Sequence, residues 1–255
     1  MKRIWAIAFN TWLESVRDKV LLVLGVFGFF LLAASKIFIP IGAGEGGKII
    51  CDFGLAFIEI ISILVVVFIG TRIVFEEIER KSIYLVLTKP VKRWEFILGK
   101  YTSQVMLVGF LQFLLFVFFS IFLKLYTVFP AAQIWKAFYF FFFEACLVIA
   151  IAMFFSSFTT PISSGFFTLF FYFIGHATAF LKEFGEFLKI PSFKILMNVL
   201  YYVLPNFSIF NIKGELVYRI PTDPLLYPLA FSYSLLYSTV LLLISITFFE
   251  RREFP

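Results

Sequence analysis

A chain of 255 residues that is 62% hydrophobic and only 15% charged, with 40 phenylalanines and a net charge of +6, cannot hide its apolar surface inside a water-soluble domain. Apolar area left in water costs roughly 25 cal/mol per Å², so the bilayer is its natural solvent. A soluble domain is excluded, and no nucleic-acid partner is expected.

Taken in chain order, residues 1–19 come first. Trp5, Phe9, Trp12, Leu13 and Val16 recur at helical spacing, with Lys2, Asn10, Glu14 and Arg17 elsewhere around the wheel. Such a helix can lie in the membrane interface, as an anchor or as a lever between a cytoplasmic partner and the bundle, with Trp5, Trp12, Glu14 and Arg17 as its marker residues. No small-residue cleavage site follows the first apolar run, which argues against a cleaved signal peptide.

Six stretches are apolar enough to cross about 30 Å of hydrocarbon at 1.5 Å per residue. They are placed at Val20–Ala34, Phe53–Val74, Tyr101–Leu123, Ala137–Phe155, Ile162–Leu181 and Leu229–Phe249. With the N-terminus inside, lysines and arginines divide 13 against 9 in favour of the inner segments, so both termini are expected on the cytoplasmic side. The expected fold is an all-α polytopic membrane protein, a single transmembrane domain over residues 1–255 in the cytoplasmic membrane.

The linkers differ in kind. Gly42-Ala43-Gly44-Glu45-Gly46-Gly47-Lys48-Ile49 nearly spells a phosphate-binding loop, but Ile49 stands where a magnesium-binding Ser or Thr belongs. A flexible glycine loop is the reading kept. Residues 76–93 are the opposite case. Glu76–Arg80 and Glu77–Lys81 are favourable i,i+4 pairs that extend the second span, Ile83, Tyr84 and Leu87 supply an apolar side, and Pro90 ends or turns the helix before Arg93. A solvated linker has no need of apolar residues between its charges, so this piece reads as a docking surface. The long loop 182–228 is apolar over Phe193–Phe210, enough to lie on the membrane or dip into it as a re-entrant element.

Within the spans the ionisable residues are Glu59, Glu144 and His176, all roughly 8–11 Å from the outer ends of the expected helices. A carboxylate facing lipid is expensive, so each is expected to face the bundle, a partner or water. They read either as the polar lining of a translocation path or proton-sensitive gate, or structurally, as an internal Glu–His hydrogen bond or a Glu at a solvent-filled outer vestibule. Gln104 and Gln112 read as helix-to-helix ties. One histidine, no cysteine pair and no HExxH motif give no metal site, and Cys51 and Cys146 are too few for a disulfide framework.

In this setting the chain resembles the permeases of exporter-type ABC transporters, close to the group with copper-processing and sodium or drug efflux members. The residues that carry the resemblance are Phe75-Glu76-Glu77-Ile78-Glu79-Arg80-Lys81-Ser82, Tyr84-Leu85-Val86-Leu87-Thr88-Lys89-Pro90, Arg93 and Gly99-Lys100. Asn10–Lys19, Leu204-Pro205-Asn206-Phe207 and Phe249-Glu250-Arg251-Arg252 add to it. The resemblance implies an intracellular coupling helix over about residues 77–90 that seats in a separate ATP-binding subunit, with Glu76, Glu77, Glu79, Arg80, Tyr84, Leu87, Pro90 and Arg93 in contact. It also implies pairing with an identical or similar permease in the lipid, no cofactor bound by this chain, and ATP and Mg on the partner ATPase. No catalytic residue is expected. Two other functions stay open: a secondary transporter driven by an ion gradient, for which Glu59, Glu144 and His176 are essential, and a membrane assembly protein whose loop only recruits a partner.

Overall fold

The computed structural model describes residues 2–37, 46–72, 92–126, 130, 133–178, 180 and 191–251. Glu76, Glu77, Glu79, Arg80, Tyr84, Leu87 and Pro90 lie outside them. All regular structure among the described residues is helical: α1 (Lys2–Val16), α2 (Lys19–Ala34), α3 (Gly46–Val65), α4 (Arg93–Tyr126), α5 (Ile134–Ser156), α6 (Pro161–His176), α7 (Pro191–Val203), α8 (Lys213–Val217) and α9 (Leu226–Arg251). A π-helical turn, Val66–Gly70, prolongs α3, and a 3-10 turn, Phe207–Phe210, precedes α8.

Among the described residues, five segments are long and apolar enough to cross a membrane: Lys19–Ile37, Gly46–Gly70, Arg93–Tyr126, Ile134–Ser156 and Leu226–Phe249. They correspond to five of the six expected spans. The expected span Ile162–Leu181 is represented by α6, whose 16 residues rise only about 24 Å. Boundaries moved most where polar residues join the helices. Helix α4 starts at Arg93 and runs 34 residues, so Gly99 and Lys100 lie two turns inside it and do not open it.

Local chemistry explains the starts. The Asp18 carboxylate accepts from the Val20 N–H at 2.8 Å and caps α2 directly after α1 ends. At α4 the Glu95 carboxylate reaches back to the Lys92 N–H at 2.9 Å, half of a capping box. Pro161 opens α6, where its missing N–H costs nothing.

The core is α5, packed by α9, α4, α6 and α3. Two-thirds of the apolar windows of α3 and α5 are buried, against 28% for α2 and α9, so the last two are peripheral helices with a broad outward apolar face. Lipid supplies little hydrophobic drive between helices, so close packing and hydrogen bonds must hold them. Between α4 and α5 that packing is aromatic: Phe116 meets Phe138 edge-on at 5.5 Å and lies 6.2 Å from Trp135, pairs worth about 0.5–1.5 kcal/mol each. Polar ties add to it. Gln112 Nε2 donates to the Phe141 carbonyl at 3.2 Å, and Ser234 Oγ to the Phe143 carbonyl at 2.6 Å. Gln104, expected to make a similar tie, has no hydrogen-bond partner for its amide among the described residues and lies beside Gly70 of the π turn.

Helix α1 is bound to the protein by its small side. Ala8, Thr11 and Ser15 are buried, chiefly against α4, while Trp5 and Phe9 point outward. Close approach is possible because Gly99 faces it: a Cβ there would lie 2.8 Å from Ile7 Cγ2. The Lys100 ammonium, itself buried, donates to Thr11 Oγ1 at 2.9 Å across this seam. Trp12 packs edge-on to Phe110 at 6.1 Å, and Glu14 and Arg17 are exposed.

Candidate functional site

Among the described residues, polar chemistry gathers in two regions, one at each end of the bundle. At the end where α4 starts, the Arg93 guanidinium donates to the Phe249 carbonyl at 3.1 Å, and the rings of Phe96 and Phe249 stack at 5.8 Å. The residue that leaves the charged 76–93 segment is thereby joined to the end of α9. Nearby, Ser156 Oγ donates to the Thr71 carbonyl at 3.2 Å and lies 3.0 Å from Ser164 Oγ, tying α3, α5 and α6 together.

Toward the opposite end, Glu59, Glu144 and His176 come together from α3, α5 and α6. His176 Nε2 lies 2.9 Å from Glu144 Oε1 and 3.6 Å from Glu59 Oε1. Helix geometry explains the convergence, because Glu59 falls on the buried face of α3 with Leu55, Ile58 and Ser62, and Glu144 lies on the most enclosed helix of the bundle. Both carboxylates are almost completely buried, whereas His176 keeps about a quarter of its surface at 24%.

Two residues that sequence reasoning did not single out complete the cluster. Tyr172, one helical turn before His176 and therefore on the same face of α6, donates its hydroxyl to Glu59 Oε1 at 2.8 Å. Lys213, from the first turn of α8, places its ammonium on Glu59 Oε2. The i,i+4 spacing of Tyr172 and His176 was a usable signal; nothing in the sequence brings Lys213 to Glu59 across 154 positions.

Lys213 arrives there because its segment folds into the bundle. Phe207, Phe210, Ile212, Leu216 and Val217 are buried between Asn206 and Tyr218, whereas Ile195, Val199 and Tyr202 on the preceding α7 are exposed. The stretch Phe193–Phe210, expected to lie on the membrane or dip into it, is thus divided into an outward helix and the start of a docked plug. Phe207 stacks on the His176 ring at 5.5 Å and lies 5.5 Å from Tyr172. The Asn206 carboxamide oxygen accepts from Thr178 Oγ1 and the Ser208 N–H, each at 3.0 Å, which pins the turn. Gly175 makes room, because a Cβ at that position would lie 2.3 Å from Phe207 Cδ2.

A family model described as "ABC-2 family transporter protein" matches residues 5–254, nearly the whole chain. The chain belongs to the ABC-2 family of transporter proteins. It is a membrane-embedded permease of the ABC transporter superfamily, and membership implies an ABC ATPase as partner and a non-catalytic role for the permease. No curated protein matches the sequence. Of the coupling residues expected from the sequence, Arg93 alone is described, as the first residue of α4.

Proposed function

We propose that this permease is the transmembrane half of an ATP-driven exporter in the cytoplasmic membrane, with both termini inside and α6 as the fifth of six spans. Two such chains, identical or similar, pair on two ATP-binding subunits. The partner holds ATP and Mg and performs the hydrolysis; this chain moves.

The observation that carries the reading is the junction at Arg93. A push on the 76–91 segment reaches α4 at its first residue, and from there it has two rigid outlets: α9 through Arg93 and Phe249, and α1 through Lys100 and Thr11. A slack linker offers no such transmission. On this reading Glu76, Glu77, Glu79, Arg80, Tyr84, Leu87 and Pro90 meet the ATPase, and α1 carries the displacement along the interface with Trp5 and Phe9 toward lipid. ATP-driven closure of the partner subunits then shifts the bundle between two packings.

Glu59, Glu144 and His176 act at the far end as a polar gate on the path, with the 207–217 plug as its moving part. The Lys213 contact with Glu59 supports this, because it couples the plug to a buried group of the bundle.

The test is purification of the chain with its ATPase in nanodiscs. Tyr84→Ala combined with Leu87→Asp is expected to abolish assembly and ATP-dependent transport. Unchanged transport in that variant removes the coupling reading. The buried carboxylates favour one competitor, a gradient-driven transporter, which predicts transport without any ATPase.

A further inference from the structure

The geometry points to a binding site for one divalent transition-metal ion formed by Glu59, Glu144 and His176, with zinc-like N/O preference. The donor atoms of the three residues lie within 4.8 Å of one another. An ion with bonds of about 2.0–2.2 Å to imidazole and carboxylate holds tetrahedral ligand atoms about 3.3–3.5 Å apart. His176 Nε2 stands 2.9 Å from Glu144 Oε1 and 3.6 Å from Glu59 Oε1, on either side of that spacing.

The surroundings fit a built site. Each ligand comes from a different helix, so the bundle itself fixes the separation. Outer partners orient the ligands, as metal sites require: Tyr172 donates to Glu59 Oε1, Lys213 holds Glu59 Oε2, and the His176 ring lies between Tyr172, edge-on at 4.7 Å, and Phe207. The carboxylates are buried, while His176 and Lys213 keep 24% and 21% of their side-chain surface and are the accessible members of the cluster. Two buried carboxylates share a single lysine ammonium there, with the Tyr172 hydroxyl and the His176 ring as their other partners.

The donor set selects the class of ion. One imidazole with two carboxylates suits zinc and its neighbours, whereas calcium takes six to eight oxygens and magnesium keeps most of its water. No sulfur contributes, because Cys146, two residues beyond Glu144 on the helix, projects away from it. Three protein ligands leave a fourth position open, the pattern of an exchangeable site rather than a closed structural one.

The inference rests on the gate reading for its role in transport but not for its chemistry, so the experiment uses the purified full-length permease without ATPase. Chelator-stripped protein in detergent is titrated with Co²⁺, whose visible absorption reports tetrahedral N/O coordination. The expected result is a band that saturates at one ion per chain, disappears on adding Zn²⁺ and survives excess Mg²⁺. Glu144→Gln, which keeps side-chain volume, and His176→Asn are each expected to weaken binding at least tenfold while keeping the wild-type size-exclusion profile. Absence of the band, or a band of unchanged affinity in both folded variants, overturns the site. Either result leaves the coupling reading standing, because that reading fails only on the Tyr84 and Leu87 variant.

Discussion

The guanidinium of Arg93 donates to the backbone carbonyl of Phe249 at 3.1 Å, and so joins the first residue of α4 to the end of α9. Backbone carbonyls in the last turn of a helix lack intrahelical donors, and a cation there also opposes the negative end of the helix dipole. Arg93→Ala removes both effects. The expected loss is about 1 kcal/mol of stability, reduced by partial exposure, with a larger effect on coupling. Transport per ATP hydrolysed is expected to fall severalfold while ATP binding by the partner is unchanged. Wild-type coupling in this variant removes α9 from the transmission route.

At the other end of the bundle, Gly175 permits the plug to dock. A methyl group there meets Phe207 Cδ2 at 2.3 Å and the Pro205 carbonyl oxygen at 2.7 Å, and a backbone oxygen yields less readily than a side-chain tip. Gly175→Ala is therefore expected to cost about 1–3 kcal/mol and to displace residues 205–217. Limited proteolysis between Asn206 and Tyr218 is the direct check: faster cleavage at unchanged secondary-structure content is the expected outcome.

How far the sequence reading reached depended on the kind of residue. Spans such as Ala137–Phe155 were legible because apolar length is a property of the sequence alone, and α5 departs from that range by only a few residues. The meeting of Glu59, Glu144 and His176 was legible as a possibility from their shared depth and the high cost of a carboxylate in lipid. Lys213 was not legible, since its approach depends on residues 207–217 folding back onto α3, a tertiary event with no periodic signature. Nor was the seam of α1. The wheel showed an apolar stripe of Trp5, Phe9, Trp12, Leu13 and Val16, but the protein seats the small side at Ala8, Thr11 and Ser15 and turns Trp5 and Phe9 outward while Trp12 and Val16 pack inward, because close helix approach in a membrane favours small residues.

That seam leads to a third expectation. Thr11→Val keeps the shape of the side chain and removes the acceptor that Lys100 Nζ uses at 2.9 Å. A buried ammonium then loses one of its partners, at an expected cost of about 1–3 kcal/mol. The separation of α1 from α4 is checked by a spin-label pair on the two helices. A broadened distance distribution is expected, together with weaker ATP-driven transport; an unchanged distribution means that apolar packing, Ile7 on Gly99 and Trp12 on Phe110 included, holds the helix without the hydrogen bond.

The ion pair between Glu59 and Lys213 supplies the last expectation, and it separates a latch from incidental proximity. Glu59 is nearly buried and Lys213 retains 21% of its surface, so the pair lies between a surface bridge worth little and a buried one that is costly to break. Glu59→Gln alone leaves the ammonium facing a buried neutral amide, and Lys213→Met alone leaves Glu59 with Tyr172 as its remaining strong donor among the described residues. Each single change is expected to cost about 1–3 kcal/mol. The double variant removes both charges together, so its cost is expected to fall short of the sum by about 1 kcal/mol or more. Thermal unfolding of the four proteins in one detergent measures that difference. Strict additivity means that the two groups do not act on each other, and the plug is then held by its buried apolar residues and the Asn206 hydrogen bonds.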